Sequence, residues 1–127
     1  MSPNARVLIV DDEIDTGQLI AHTLKTAGFQ VAIVDNGRKA LRMIRDLSFD
    51  LVLLDVMMPD LDGFDVMRQM QEMPGDVPPV VFFTAKGHPT DQETGEGLGA
   101  VGYMVKPATR GELLDVIAQV LGEDQGT

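Results

Sequence analysis

Four short apolar runs in this chain each end in polar residues, and together those residues could handle a phosphoryl group. Val7 to Val10 runs into Asp11 and Asp12, Leu51 to Leu54 into Asp55, Val80 to Phe83 into Thr84, and Tyr103 to Val105 into Lys106. Three carboxylates gathered in one place repel one another, and some stay protonated unless a cation neutralises them. The donors are all oxygen, and such hard ligands favour Mg²⁺, Mn²⁺ or Ca²⁺ over Zn²⁺ or Cu²⁺. So few protein ligands point to Mg²⁺, which keeps waters and accepts phosphate oxygens. Lys106 adds a fixed positive charge and Thr84 a hydroxyl, both suited to phosphoryl oxygens and neither needed to hold a metal. Attraction between Lys106 and a dianionic ligand is worth several kcal/mol at an effective dielectric of about 20.

These groups meet only if the fold brings the ends of the runs together. With Val31 to Val34 there are five runs of strand length. The first four are continuous rather than alternating, as in strands covered on both faces of a parallel sheet; the fifth is shorter. Between them Ile20, Leu24 and Ala27 recur at helical spacing up to Gly28, and Ala40, Leu41, Ile44 and Leu47 do the same. Phe64, Met67, Met70 and Met73 make one apolar face closed by Pro74 and Gly75, and Leu113, Val116, Ile117, Val120 and Leu121 make a final helix. The fourth connection, Thr90 to Gly99, carries Gly95 and Gly97, each costing about 1 kcal/mol against Ala, which predicts a weak or short helix. Alternating strands and helices with right-handed crossovers build a doubly wound α/β sheet, whose ligands bind beyond the carboxyl ends of the strands.

The bulk composition agrees with one α/β domain. The chain has 127 residues, 44% hydrophobic and 24% charged, enough for a single core. Ten basic against 20 acidic residues leave a net charge of −10, which argues against direct nucleic-acid binding. Cysteine is absent, so thiolate chemistry is excluded. No signal peptide or apolar stretch of membrane length is visible, and the expectation is a cytoplasmic protein of residues 1–122 with a flexible tail over 123–127.

Val-Leu-Ile-Val-Asp-Asp-Glu from Val7, Leu-Val-Leu-Leu-Asp-Val-Met-Met-Pro-Asp-Leu-Asp-Gly from Leu51, Phe-Phe-Thr-Ala from Phe82 and Tyr-Met-Val-Lys-Pro from Tyr103 resemble the response-regulator receiver family of two-component phosphorelay signalling. The likeness spans nearly the whole chain and implies a CheY-like, flavodoxin-like sheet of order 2-1-3-4-5 with five helices. It further implies that Asp55 is the phosphoacceptor, that Asp11, Asp12, Asp55 and the Met57 carbonyl hold Mg²⁺, and that Thr84 and Lys106 bind the phosphoryl group. Thr84 and Tyr103 would be switch residues, with a cis bond before Pro107. The implied partners are a sensor histidine kinase or histidine phosphotransfer protein and a downstream target or output domain. Output, and any homodimer, would use the face of the fourth helix, fifth strand and fifth helix.

Some residues have plainer readings. Capping of the first helix accounts for one of Asp11 and Asp12 but not both. Thr84 and Tyr103 are also ordinary residues for a strand, and Pro59 and Gly63 for a turn. His22 and His88 receive no role, and Arg38, Lys39, Arg42 and Arg45 mark a helix whose polar side reads as solvated. Val101 and Gly102 stand where many relatives carry acidic residues, and Met57 and Lys86 where the family tunes loss of the phosphoryl group. The competing function is a phosphatase or mutase with an aspartyl-phosphate intermediate. Such enzymes usually carry a second aspartate two residues after the nucleophile, where this chain has Met57.

Overall fold

In a computed structural model, described over residues 5–85 and 89–122, strands and helices alternate five times. The elements are β1 (Arg6–Val10), α1 (Ile14–Thr26), β2 (Gln30–Val34), α2 (Gly37–Asp46), β3 (Leu51–Leu54), α3 (Gly63–Gln71), β4 (Val80–Thr84), α4 (Pro89–Gly97), β5 (Gly102–Val105) and α5 (Arg110–Leu121). All pairings are parallel and the strand order is β2-β1-β3-β4-β5, the order that the resemblance implies.

The continuous apolar runs follow from burial on both sheet faces. Leu8, Val10, Val52, Leu54, Val80 and Phe82 pack with residues of α2 and α3, while Val7, Ile9, Leu51, Leu53, Val81 and Phe83 pack with α1 and α5. Side chains alternate across a strand, so a strand covered twice needs an apolar residue at every position. Each large aliphatic side chain so buried contributes about 1.5–3 kcal/mol. The edge strand β2 is only half-buried along Val31 to Val34.

Helix ends follow local chemistry. Gly28, Gly75 and Gly99 take positive φ beyond α1, α3 and α4, where a side chain would be strained. The Asn36 side chain caps α2, and Asp62 with Asp65 and Thr109 with Glu112 form capping boxes on α3 and α5. Neither Asp11 nor Asp12 caps α1: its N-cap is Glu13, which makes no side-chain cap bond. Leu47 and Met73, expected on helix faces, lie beyond the ends of α2 and α3, Leu47 as an extended C-cap. Helix α4 stops at Gly97, two residues short of the expected end. Among the described residues no helix is long and apolar enough to cross a membrane. Lys86, His88 and the expected tail over 123–127 lie outside the described residues.

Candidate functional site

Backbone pairing sets the site before any side chain is considered. The Asp11 N–H donates to the carbonyl of Val34, Asp55 N–H to Val10, and Lys106 N–H to Thr84, each the last carbonyl of a neighbouring strand. The polar residues are therefore held where the sheet ends, at the carboxyl edge of β1, β3, β4 and β5. Gly63 supports this edge from behind. Its N–H donates to the Val56 carbonyl at 2.9 Å, and a Cβ there would stand 2.2 Å from the Asp55 carbonyl oxygen. Sequence reading makes Gly63 an ordinary turn residue; a glycine opening a helix just after the central aspartate was the signal available.

One oxygen each from Asp11, Asp12 and Asp55 fall within 4.8 Å of one another. Asp11 and Asp55 are buried and Asp12 is exposed. The Lys106 ammonium reaches across β3 and β4, 2.6 Å from Asp11 Oδ2 and 3.3 Å from Asp55 Oδ2, and stands 5.8 Å from the centre of the Phe83 ring. The other oxygen of Asp11 accepts from the Glu13 N–H at 2.9 Å, and that of Asp55 from the Met57 N–H at 3.2 Å. Met57 itself is exposed. Thr84 is fully buried as the last residue of β4, in register with Val105.

Electrostatically the pocket is under-neutralised. Burial raises the Asp11 carboxyl above its ordinary value, opposed by hydrogen bonds from Lys106 and the Glu13 N–H and assisted by the charge of Asp55. Burial pulls Lys106 down, but its bonds and attraction to Asp11 and Asp55 outweigh this and leave it raised. One ammonium meets two of the three carboxylates, Asp11 and Asp55. A hard divalent cation fits this all-oxygen set and removes the remaining conflict, so the residues pass the chemical test for Mg²⁺.

Tyr103 lies in β5 opposite Phe82, with ring centres 5.8 Å apart and the rings tilted, and Phe64 meets Phe82 edge-on at 5.2 Å. A Cβ on Gly95 would stand 3.0–3.2 Å from the rings of Phe82 and Tyr103. Gly95 is thus a packing requirement as well as a weak helix former. Burial, with the charges of Asp91 and Asp55, raises the Tyr103 hydroxyl above its ordinary value. The Lys106–Pro107 bond is cis. His22 is exposed on α1, away from these groups in burial and in element.

Comparison with known proteins agrees with this geometry. Residues 7–118 match the family described as the response regulator receiver domain. The chain is 38% identical over 116 residues to the probable transcriptional regulatory protein SilR of Salmonella typhimurium, covering 91% of this chain and 50% of that protein. It thus spans about half the length of the curated relatives it matches. The chemotaxis response regulator CheY4 of Vibrio cholerae superposes with a TM-score of 0.86 at 34% identity, over 93% of this chain and 99% of that one. The receiver domain of a Pseudomonas aeruginosa sensor histidine kinase, solved with magnesium in its active-site cleft, superposes at 0.85 with 27% identity, over 94% of this chain and 98% of that one.

Proposed function

Since the chain belongs to the response regulator receiver domain family of two-component signalling, we propose that it accepts a phosphoryl group on Asp55 and signals through the resulting change of shape. The observation that carries this is the buried Asp55 carboxylate, with the Lys106 ammonium 3.3 Å away and two further aspartates beside it. Asp11, Asp12 and Asp55, with the Met57 carbonyl, would hold Mg²⁺, which when bound supplies positive charge for the phosphoryl oxygens.

An oxygen of Asp55 attacks phosphorus in a phosphohistidine; the P–N bond breaks, and its electron pair leaves with the imidazole. Lys106 exchanges part of its contact with Asp55 for the incoming oxygens while Asp11 keeps it in place. The Thr84 hydroxyl donates to a phosphoryl oxygen, and the shift of β4 is passed to Tyr103 and the α4, β5 and α5 face, where output and any homodimer contact form. Among the described residues no segment caps the pocket, and Met57 stands where phosphatase sites carry a second carboxylate, so turnover of other phosphoesters is the less supported reading.

The donor is a sensor histidine kinase or a histidine phosphotransfer protein, received on an apolar groove of about 430 Å³ that opens beside Lys106. Leu19 and Ile20 from α1 face Pro107 and Leu113 across it, and Leu19 is 68% exposed. The receiver occupies residues 1–122 and acts in the cytoplasm on a downstream protein target or an output domain, and its own net charge of −10 disfavours direct contact with DNA.

Incubation with acetyl phosphate and Mg²⁺, followed by intact mass, tests the reading. Wild type gains the mass of one phosphoryl group and Asp55→Asn does not; equal labelling of both removes Asp55 as the acceptor.

A further inference from the structure

Ten Lys and Arg residues are spread over a chain of net charge −10, yet four of them, Arg38, Lys39, Arg42 and Arg45, fall in the ten residues of α2. Periodicity alone makes this a solvated face. Packing changes its meaning, because Arg38, Arg42 and Arg45 rim a groove of about 350 Å³ whose apolar lining is Leu41, Leu61 and Met73. Arg45 and Met73 also line a second groove of about 190 Å³, so the two share a boundary.

The guanidinium groups follow an i, i+4, i+7 spacing, which places them along one side of α2 over roughly 10 Å. Arg38 pairs with Asp60 and Arg45 with Asp46, both at 3.1 Å and both largely exposed. Such exposed pairs contribute about 0–1 kcal/mol and exchange readily for a better carboxylate. Arg42 makes no hydrogen bond or ion pair with any described residue. Leu41 and Leu61, half-buried against the core, give the groove a firm apolar floor, and the half-buried Met73 is the adaptable side chain beside them. None of the described residues that line the groove belongs to a strand, so an extended peptide seated there does not add to the sheet; a helix laid in the groove remains.

We propose that the α2–α3 groove docks an acidic amphipathic helix of another protein, its carboxylates meeting Arg38, Arg42 and Arg45 and its apolar stripe covering Leu41, Leu61 and Met73. Such docking needs no phosphoryl group, so it stands apart from the chemistry at Asp55. It also touches Leu61, in the loop that connects Asp55 to α3, and so the docked helix and the site share one segment.

The probe is a fluorescently labelled synthetic helix with leucines at i, i+3, i+4 and i+7 flanked by glutamates, titrated into the unphosphorylated chain and read by anisotropy and amide NMR shifts. Saturable binding is expected, with shifts along α2 and α3. A loss of at least about tenfold is expected in Arg42→Glu, and likewise when lysines replace the glutamates of the probe. Arg42 is exposed, so the variant should keep its melting temperature, checked by circular dichroism. The proposal is overturned by absence of saturable binding, by equal binding of the lysine probe or of Arg42→Glu, or by shifts confined to α1 and α5. Self-association of the free chain that Arg42→Glu dissolves in sedimentation would overturn it too, by assigning the groove to a second copy.

Discussion

Lys106 divides one positive charge between two buried carboxylates, and much of the pocket's behaviour follows from that shortage. Asp11 lies above its ordinary value of 3.8, mainly because it is buried. Its folded form therefore holds a proton more tightly than its unfolded form, so this group adds stability at low pH and loses it as pH rises from about 3.8 through the raised value. That sign is opposite to that of an ordinary ion-paired aspartate. The expected outcome is a shallower acid loss of melting temperature, as pH falls through the raised value towards 3.8, in metal-free wild type than in Asp11→Asn; an identical profile would show that the carboxylate is satisfied without a cation. Mg²⁺ should raise the melting temperature of wild type and raise it less in Asp12→Ala, whose exposed side chain matters little to the metal-free fold. The types and positions of these residues were readable in the sequence. That Asp11 rather than Asp12 is the buried partner of Lys106 was not, because it depends on a contact between residues 95 apart.

At the scale of elements, α4 separates local propensity from packing. Gly97 faces open space, so Gly97→Ala should stabilise the chain by up to about 1 kcal/mol, seen as a higher urea midpoint. Gly95→Ala gains the same propensity but sets a methyl group 3.0–3.2 Å from the rings of Phe82 and Tyr103. Net destabilisation is expected, together with a changed tyrosine fluorescence. That signal belongs to Tyr103 alone, because the chain has one Tyr and no Trp. If Gly95→Ala stabilises like Gly97→Ala, the ring contact does not constrain α4. Both glycines look alike in the sequence, and only the register of β4 against β5, which brings Phe82 beside Tyr103, distinguishes them.

Across the whole molecule the two sheet faces carry different surfaces. The α1 and α5 side opens an apolar groove next to Lys106, while the α2 and α3 side presents a groove rimmed by arginines. Leu19→Glu should leave labelling by acetyl phosphate at the wild-type rate and slow transfer from a histidine kinase by at least about tenfold, measured as labelled chain over time. Equal slowing of both donors would place the effect in the pocket rather than at the docking surface. Arg110 ties these same elements together, donating from the start of α5 to the Thr23 carbonyl and the Thr26 hydroxyl near the end of α1.

Apolar runs ending in Asp11, Asp55, Thr84 and Lys106 determined, without coordinates, that the chain is a parallel α/β sheet with acid, hydroxyl and ammonium groups at one edge. A strand buried on both faces has a composition that few other arrangements tolerate, and strand ends in such a sheet converge. Tertiary structure alone decided which carboxylates share Lys106, why Gly63 and Gly95 lack side chains, and which helix faces border grooves. Each of these depends on distances across the fold between residues far apart in sequence, and neither propensity nor periodicity carries such distances.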